Sequence, residues 1–557
     1  MIEVPPPIPI GMYSSASGVA IEASDSTDCF SPDADCDTEE NKNHFSLAGE
    51  TRRQGTVAGL PVDGISYREN VPFLLDNEFY YTQTGLDNLY FFEYCSDELM
   101  YAESICTTWA EAHWVEWKRE RMTGSNRVNS FGFYQKDNSS SATLVSSDRN
   151  VVINALDETP FSVSSLVGTA ITPASNRGAH DITPISNGPA SVDGARAWAH
   201  KSYTYGGDTY DLYSGSVLSS RANGYGVFYT SQGALWSGSD LETTAWESSV
   251  ESYDNRLAQG SVRDFTADLD NGLIYGVGYT SYDSSRNYMS ATVFKTVMHN
   301  GRVSGSSSVA LPFARVGDGD MFTNTTLKAV NDNFVAIGEA KLINAENGSP
   351  ANKLFIVPDV TEPIPRLSFF PTGTENIGFL GAGGQVNALN NRNEIVGQID
   401  SESSRESSGK PRRKRGFIYP YSASSYRGLI FKNKAWLLDD LTNGPSLPQK
   451  EDYSHHNNNF RIVNANDIND AGVIAATAIK CLVGEYNSTN HDATCGSGNQ
   501  NETTVAVKLV PISGVSSSSI FPRGYRSPPI AREGAALDWL SLTVLLVFFL
   551  FRIRSRS

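Results

Sequence analysis

The sequence predicts an all-β protein in a propeller-like arrangement of about six to seven blades, each blade being a small sheet. Three observations support this prediction. The 557 residues include 25 Tyr, 26 Phe and 47 Gly, a composition that favours strands and turns over helices. A motif with an Asn-containing turn recurs along the second half of the chain. A short apolar strand follows each copy of that motif.

The clearest copy of the motif is Val386–Gly397, in which a cluster of Asn lies between apolar residues and a final Gly. Asn tolerates left-handed backbone angles and bonds to nearby backbone groups, so this cluster predicts a tight turn between two strands. Successive copies begin 61, 59 and 79 residues apart, and such periods are typical of propeller blades. The first polar residue and the final small residue of each copy are Asp270 and Gly276, Asn331 and Gly338, Asn390 and Gly397, and Asn469 and Ala476.

The formal net charge of −18 argues against a nucleic-acid partner, because phosphate contacts require clustered Lys and Arg. An acidic surface instead favours solubility, for example in a salty or extracellular medium. The hydrophobic content of 39% suffices for a folded core.

The six Cys form three close pairs: Cys29 with Cys36, Cys95 with Cys106, and Cys481 with Cys495. Short-range pairs with none left over predict three local disulfides and an oxidising compartment. The alternative is a metal site, but the separations of 7, 11 and 14 residues do not match the usual Cys-x2-4-Cys spacing.

The start of the chain, Met1–Pro7, has neither a basic segment nor an apolar segment that would indicate a signal peptide. Since disulfides imply export, we hypothesise that an export signal lies upstream of Met1. Residues 13–80 predict a degenerate first unit, with strand candidates at Ser17–Ile21 and Thr56–Gly59.

Residues 87–123 predict a short amphipathic helical insert, stapled by the Cys95–Cys106 disulfide. Trp114 and Trp117 are three residues apart and therefore share one helical face. Two interpretations follow: the insert is a cap that faces a ligand, or its Trp residues anchor it to the sheets.

Residues 125–260 predict further strand units, and a basic run lies later in the chain, at Lys410–Arg415. The run is interpreted as a solvated loop, with a protease-sensitive or polyanion-binding loop as the alternative. Residues 511–533, rich in Ser, Pro and Gly, predict a linker that ends the repeat region of residues 1–510. Within residues 125–260, the strand candidates are Val151–Asp157, Ala195–Ala199, Gly226–Tyr229 and Gly233–Trp236.

Residues 534–557 predict a hydrophobic membrane or sorting tail, because an apolar stretch is followed by Arg552, Arg554 and Arg556. The stretch is slightly shorter than the roughly 20 residues that span a bilayer. Arg beyond the segment places the preceding portion outside the inner membrane. The alternative is a buried core helix. The predicted anchor residues are Trp539, Leu540, Leu542, Val544, Leu545, Leu546, Val547, Phe548, Phe549, Leu550 and Phe551.

No sequence pattern indicates a catalytic constellation or a bound cofactor. His455 and His456 lie in an Asn-rich stretch, which favours a plain loop over a metal site. Gly317–Asp320 and Asp268–Gly272 carry oxygen ligands suitable for calcium. Turn formation explains both stretches as well, and neither completes a known calcium loop.

Three resemblances follow from these motifs. Leu389–Gly397 with its following strand, together with Ile468–Gly472, resembles the HAF-type probable extracellular repeats of bacteria, although the His-Ala-Phe triplet is missing. The whole chain resembles an uncharacterised family of bacterial envelope proteins, which has no assigned activity. The tail resembles GlyGly-type C-terminal sorting signals, which implies cleavage near Gly534 and Ala535 by a rhomboid-like protease. Here Gly534-Ala535-Ala536 replaces the Gly-Gly pair, and a retained membrane anchor is the alternative.

Together these observations predict an exported, membrane-tethered or surface-sorted protein with a non-enzymatic binding role towards a protein or glycan ligand. One alternative is an envelope hydrolase or lyase whose acidic residues converge at the channel mouth. Another is a structural component of the cell surface. Facing buried carboxylates with a cationic neighbour would favour the enzyme. A channel lined with Asn, Ser and Tyr would favour binding.

Overall fold

The computed structural model describes residues 1–557 except 10, 25–26, 39, 54–55, 58–59, 62–87, 122–128, 146–149, 157–159, 166–178, 181–193, 224–225, 239, 248–250, 254–255, 283–285, 317–318, 371–376, 404–411, 422–425, 443–452, 492 and 525–557. The described part is mostly β, as the sequence predicts, with several small antiparallel sheets. Its helical segments are few and short apart from one in the insert. The predicted membrane tail lies outside the described residues.

The strands are β1 Ile2–Glu3, β2 Ser15–Ile21, β3 Leu47–Arg52, β4 Thr56–Val57, β5 Leu60–Pro61, β6 Gly132–Gln135, β7 Ala142–Leu144, β8 Asn150–Leu156, β9 Pro160–Ser165, β10 Ala179–His180, β11 Gly194–Tyr205, β12 Asp208–Asn223, β13 Gly226–Ser237, β14 Asp240–Thr244, β15 Ser252–Tyr253, β16 Arg256–Leu257, β17 Gly260–Asp268, β18 Leu273–Ser281, β19 Met289–His299, β20 Arg302–Ala310, β21 Phe322–Val330, β22 Ala336–Leu342, β23 Asn352–Val357, β24 Ser368–Phe369, β25 Gly384–Leu389, β26 Glu394–Asp400, β27 Lys414–Pro420, β28 Trp436–Leu437, β29 Phe460–Ile468, β30 Ile474–Cys481 and β31 Glu502–Leu509.

The helices are α1 Leu89–Glu93, the π-helical turn α2 Tyr94–Glu98, α3 Glu103–Arg121, α4 Tyr426–Ile430, α5 Leu438–Leu441 and α6 Tyr453–Asn457. Two 3-10 turns lie at Cys495–Gly498 and Ser517–Ser519. Within the described ranges, no helix is both long enough and apolar enough to cross a bilayer.

Apart from the two-stranded ribbons β4-β5 and β15-β16, the described strands fall into seven antiparallel groups. Each group consists of strands that follow one another along the chain. Sheet 1 is β2-β3-β6-β7, sheet 2 is β8-β9-β10, and sheet 3 is β11 to β14. Sheets 4, 5 and 6 are β17 to β20, β21 to β24 and β25 to β28. Sheet 7 is β29-β30-β31, and one parallel pairing between Ser15 and Thr504 joins it to sheet 1.

The first strands of successive sheets contact one another in a closed circle. The contacts run from β2 to β8, β11, β17, β21, β25 and β29, and then from β29 back to β2. Strand β1 completes sheet 7 by pairing with β31, where Ile2 lies opposite Lys508 and Glu3 lies opposite Val507. The two termini of the sheet region are therefore held in one sheet.

The hydrophobic core is divided among the interfaces between neighbouring sheets. Val396 and Ile418 of sheet 6, for example, pack against Ile462, Ile474 and Val507 of sheet 7, and all five are buried. Burial of one such side chain contributes about 1.5–3 kcal/mol, so each interface is a substantial source of stability.

The circle of sheets has two different ends. At the turn end, short Asn- or Asp-containing turns connect the first and second strands of sheets 4 to 7. At the insertion end, longer segments connect the second and third strands of several sheets, and they include residues 53–131, 401–413 and 482–501. The helical insert lies in the first of these segments.

The helical insert is anchored to sheet 4 by an aromatic cluster. Phe91, Tyr94, Trp109 and Trp114 pack with Tyr279 and Met289 of that sheet. The side chain of Trp117 lies outside the described residues. Burial raises the pKa of the Glu98 carboxyl, although Arg256 and Asn324 donate hydrogen bonds to it at 3.0 and 2.7 Å. These contacts favour the anchoring interpretation of the insert over a ligand-facing cap.

The basic run is not the solvated loop that its composition predicts. Arg412 and Arg415 are only 1% and 3% exposed. Arg412 donates to the carbonyls of Gly381 and Asn347, and Lys414 lies 2.7 Å from the Asp400 carboxylate. Carbonyls and carboxylates that are remote in sequence satisfy these charges, so the solvated interpretation is wrong for Arg412 and Arg415. Lys410 lies outside the described residues.

Two predicted strand segments differ from their sequence interpretation. Gly226–Tyr229 and Gly233–Trp236 are parts of one long strand, β13. The strand that pairs with β2 is β3, whereas Thr56–Val57 forms β4 and pairs with β5 in a separate ribbon. At the described start of the predicted linker, the backbone N–H of Arg523 donates to Asp440 of α5, and Arg523 is 4% exposed.

Candidate functional site

A ring of β-bulges runs around the inner side of the sheets. Each first strand has a register shift at the matching position, where one extra residue is inserted opposite the second strand. A bulge re-aims the side chain of the extra residue and bends the strand. The residues at the seven bulges are Val19, Asn154, Trp198, Arg263, Lys328, Asn387 and Asn466.

Small residues lie opposite these bulges for a steric reason. A Cβ built on Gly278 would lie 1.9 Å from the Ser261 carbonyl oxygen, and one on Gly397 would lie 2.0 Å from that of Gln385. Both carbonyls precede the bulge residue by two positions. In the motif copy that begins at Asp270, the glycine opposite the bulge is Gly278, two residues beyond Gly276, because that hairpin is longer.

Asn at the bulge links neighbouring sheets. The Asn154 side-chain amide donates to the carbonyl of Ala197 at 2.7 Å, and Asn387 donates to that of Ala465 at 2.8 Å. Asn466 donates in the same way to the carbonyl of Gly18 at 2.7 Å. Each acceptor directly precedes the bulge residue of the next sheet. The amides therefore hold the first strands at a fixed spacing around the ring.

Sheets 3, 4 and 5 depart from this pattern, and their bulge residues Trp198, Arg263 and Lys328 form what we term the cationic sector. The Arg263 guanidinium lies 3.6 Å from the centroid of the Trp198 ring, and that of Arg196 lies 4.0 Å from it. Arg263 also donates to the Tyr279 hydroxyl at 3.0 Å. Such cation–π contacts fix the orientation of a guanidinium group.

The members of the cationic sector are each partly exposed, although they lie on the innermost strands. Within the described part of the chain, Lys328 makes neither a hydrogen bond nor an ion pair through its ammonium group. Its bulge lies beside that of Arg263, because the Asp264 carboxylate accepts the backbone N–H of Val330. The sector therefore combines an oriented guanidinium with an adjacent solvated ammonium.

A titratable cluster lies next to the cationic sector, towards the turn end. The Lys201 ammonium is 3.3 Å from Asp264, and Thr266 donates to Asp332 at 2.7 Å. Burial lowers the pKa of Lys201, but Asp264, Tyr203 and Asp332 together outweigh that effect and raise it above its usual value. Burial raises the pKa of Tyr203 to about 12. Lys201 is thus a permanent cation and Tyr203 a neutral hydroxyl at neutral pH.

Five carboxylates on first or second strands and in helix α5 serve a common structural role; Glu50, Glu339 and Asp439 are buried, and Asp264 and Asp467 are partly exposed. Each accepts a backbone N–H from a strand of an adjoining sheet, at a place where the bulge or strand start has removed a ladder partner. The pairs are Glu50 with Ile153, Asp264 with Val330, Glu339 with Val386, Asp439 with Ile462, and Asp467 with Ile21, at distances of 2.6 to 3.0 Å.

The Asn-containing turns form a hydrogen-bonded ladder at the turn end. The Asn331 amide donates to the carbonyl of Asn390 at 2.9 Å, and the Asn390 amide donates to that of Asn469 at 3.0 Å. Asn469 continues the series by donating to the carbonyl of Glu22. The side-chain oxygen of each first Asn accepts backbone N–H groups of its own turn, as at Val335, Glu394 and Val473.

The residues that the sequence singled out are placed as follows. The structure pairs Cys29 with Cys36 at the turn end, and Cys95 with Cys106 and Cys481 with Cys495 at the insertion end. His455 lies 3.0 Å from Glu485, and Asp268 accepts two hydrogen bonds from Asn271 across its turn. Among the described residues no group of three metal-ligating side chains is found. Gly534, Ala535 and the anchor residues lie outside the described residues.

The functional candidates that the sequence did not reveal are the bulge residues Trp198, Arg263 and Lys328. They occupy one position of a repeated strand, and the glycine opposite that position was the available signal. Because the first strands of sheets 3, 4 and 5 carry three different residues there, the shared position becomes visible only when the bulges are aligned by their pairing register.

Comparison with known proteins gives one family and several distant structures. A family model described as a protein of unknown function (DUF3466) matches residues 217–554. No curated protein matches the chain. A solved structure described as a complex of BT0996 and RGII is 10% identical, with a TM-score of 0.25, and the match covers 58% of this chain and 90% of that one.

Two other solved structures are similarly distant. A thermostable family-43 glycoside hydrolase is 13% identical with a TM-score of 0.20, and the match covers 52% of this chain and 85% of that chain. A puromycin-hydrolysing peptidase of Mycobacterium tuberculosis is 10% identical with a TM-score of 0.25, over 66% of this chain and 56% of that one.

Proposed function

The chain belongs to the DUF3466 family of proteins of unknown function, and we propose that it is an exported, non-enzymatic binding protein of the bacterial envelope. In this proposal the seven strand groups are the blades of a β-propeller, and the ligand binds at the central opening. The closed circle of contacts between first strands supports the arrangement. So does β1, which pairs with β31 and thereby closes the ring.

The observation that carries the binding role is that carboxylates of the strands bond to the backbone of adjoining sheets. Asp264, Glu339 and Asp467 each accept a backbone N–H from an adjoining sheet. A carboxylate that accepts a backbone N–H of an adjoining sheet is committed to holding two sheets together, which leaves it poorly placed to act on a substrate. The inner wall instead presents amides such as Asn154 and Asn387, together with the cationic sector.

A hydrolase or lyase is the second candidate, and the cluster of Lys201, Tyr203, Asp264 and Asp332 is the observation in its favour. A fixed cation beside two carboxylates and a phenol is an arrangement found in active sites. Against this candidate, both oxygens of Asp264 accept backbone N–H groups, those of Phe265 and Val330.

The three disulfides support the envelope location, since disulfides form and persist mainly in oxidising compartments. We propose that residues 534–557 tether the protein to the inner membrane or direct its sorting by a rhomboid-like protease. Fractionation of the native host, with mass mapping of the C-terminus, tests this part. A soluble cytoplasmic protein with reduced Cys would overturn it.

The binding role is tested with the full chain, produced in an oxidising compartment, on an array of bacterial and extracellular glycans and envelope proteins. We expect saturable binding without turnover, and Trp198→Ala should weaken it while Trp436→Phe, near the turn end, should not. Product formation detected by mass spectrometry, and abolished by Asp264→Asn, would instead establish the enzyme. An absence of any binding partner would favour a structural role.

A further inference from the structure

The geometry points to the cationic sector as a binding site for a small oxyanion-bearing ligand, such as a carboxylate-bearing sugar or a phosphate ester. This inference rests on the proposed function, because it names the chemistry of the ligand at the central opening. It depends on Trp198, Arg263 and Lys328, which hold the bulge positions of three consecutive first strands.

Positive charge is concentrated around the cationic sector. The protein carries a net charge of −18, so three cationic side chains gathered on adjacent inner strands run against its overall composition. Arg196 and Arg263 both lie within 4.0 Å of the Trp198 centroid, and Lys328 occupies the next bulge. Asp264 and Asp332 lie nearby, but Lys201 and the Thr266 hydroxyl engage them, and a cationic side chain raises the local concentration of anionic ligands.

Lys328 has no internal counter-ion among the residues that the structure describes. No described residue forms an ion pair or hydrogen bond with its ammonium group. The carboxylate on the neighbouring strand, Asp264, is engaged by Lys201 and by the backbone N–H groups of Phe265 and Val330. Asp332 in turn accepts the hydroxyl of Thr266. Lys328 therefore keeps its full capacity to bind an external anion.

Two contacts orient the Arg263 guanidinium. Its Nη2 donates to the Tyr279 hydroxyl, and its plane lies against the Trp198 ring. Tyr279 is 1% exposed and packs against Phe91 and Tyr94 of the helical insert. The guanidinium is thus held before the ligand arrives, which lowers the entropic cost of binding. Trp198 and Tyr279 are positioning residues for Arg263 rather than stacking platforms, because two guanidinium groups already contact Trp198.

The residues at the other four bulges explain why the cationic sector, among the seven bulges, is the one suited to an anion. At three of the other bulges, Asn donates to a carbonyl of the next first strand, and Val19 is buried. The amides of Asn154 and Asn387 lie on either side of the cationic sector in ring order. Both N–H groups of the Asn387 amide are used, by Asn464 Oδ1 and by the Ala465 carbonyl, so its side-chain oxygen is left to accept a hydroxyl group of a ligand bound at the cationic sector.

The test uses the full disulfide-bonded chain and isothermal titration calorimetry. The probes are tri-galacturonate, inorganic phosphate, glucose 6-phosphate and an uncharged tri-galactose. We expect at least one anionic probe to bind and the uncharged saccharide to bind more weakly, with an affinity that falls as salt increases. The relative affinities of the uronate and the phosphate probes identify the source of the anion.

Three variants locate the site. Lys328→Gln should weaken the anionic probe about tenfold, the usual effect of removing one charge-assisted hydrogen bond. Tyr279→Phe should weaken it about threefold, since the charge of Arg263 remains but its orientation is lost. Lys136→Gln is the matched control, because Lys136 is an exposed Lys of the turn end, and it should leave the affinity unchanged.

Two results would overturn the inference. If tri-galactose binds as well as tri-galacturonate and Lys328→Gln has no effect, the opening binds ligands but does not select anions, so the proposed function survives alone. If none of the anionic probes binds at millimolar concentration, the anion site is refuted, while the array of glycans and envelope proteins still decides the binding role. Matching unfolding curves for the variants and the wild type show that each variant is folded.

Discussion

At the turn end of the circle of sheets, short Asn and Asp side chains join neighbouring sheets, whereas at the insertion end long Arg side chains reach between connections and two disulfides each close a single insertion. The turns have nearly constant length, so a short amide in one turn reaches the backbone of the next, as Asn390 reaches Asn469. The network around Arg427 adds a buried ion pair with Glu394 at 2.7 Å.

The insertion end connects segments of unequal length, and long side chains reach across them. Arg412 donates to carbonyls in two other connections, and Arg461 donates to the carbonyl of Asn487. Burial lowers the pKa of the Arg461 guanidinium to about 10, which still leaves it charged at neutral pH. Cys95–Cys106 and Cys481–Cys495 close two of the insertions covalently.

The turn end therefore holds neighbouring sheets together through repeated bonds, whereas the connections at the insertion end differ in length and structure from sheet to sheet. Repeated short bonds need repeated geometry, and they resist any change in turn length. Insertions held by their own disulfides can vary without disturbing their neighbours. Ligand contacts are therefore expected nearer the insertion end and the inner ring than at the turn end.

The largest expected effect tests whether the turn end is the stabilising end. In Arg427→Met the buried Glu394, which is 0% exposed, loses its cation, and the free energy of unfolding should fall by about 3–5 kcal/mol. Urea unfolding measures the change. Arg302→Met is the control, because Arg302 is 79% exposed in its pair with Asp240 and should change little. Equal losses in the two variants would contradict the comparison.

The pH dependence of the same variant sharpens this test. Burial raises the pKa of the Glu394 carboxyl, and Arg427 opposes that shift. A carboxyl whose pKa is raised on folding binds more protons in the folded state, so its contribution to stability declines as the pH rises from its unfolded-state pKa to its folded-state pKa. Without Arg427 the folded-state pKa of Glu394 is higher still, so the decline continues over a wider pH range and is larger in total. The difference between wild type and Arg427→Met should therefore be larger at pH 8 than at pH 5.

The next effect compares disulfides at the two ends. Replacing both Cys95 and Cys106 with Ser should cost about 2–3 kcal/mol of stability, since the closed loop is short. It should also weaken ligand binding, because the insert that it staples packs on Tyr279, the partner of Arg263. Replacing Cys29 and Cys36 should cost a similar stability but leave ligand affinity unchanged. A loss of affinity in both double variants would show that the ends are not independent.

The smallest effect distinguishes the two Asn of one turn. Asn391→Ala removes an exposed side chain that accepts the Asp332 N–H and donates to Asp470, and should cost about 0.5–1 kcal/mol. Asn390→Ala should cost more, because buried N–H groups of the turn lose their acceptor. Thermal unfolding of both variants provides the measurement. The ladder would be refuted if Asn391→Ala were the more destabilising of the two.

Much of the β architecture could be predicted from the motif, because its turn chemistry is local. Asn390 closes its own turn through Arg392 and Glu394, as the sequence interpretation of Asn requires. The three close Cys pairs are bonded as their spacing predicts. The charges at Arg412 and Arg415 were misinterpreted, because their acceptors come from other connections and from Asp439.

The strand units, the turns between them and the covalent pairs follow from the amino-acid sequence alone, since each depends on residues within one unit. The tertiary fold sets which residue of each first strand occupies the bulge, and it thereby brings Trp198, Arg263 and Lys328 side by side. A bulge position is defined by pairing register and by contact with the next sheet, and both involve chain segments that are remote in sequence.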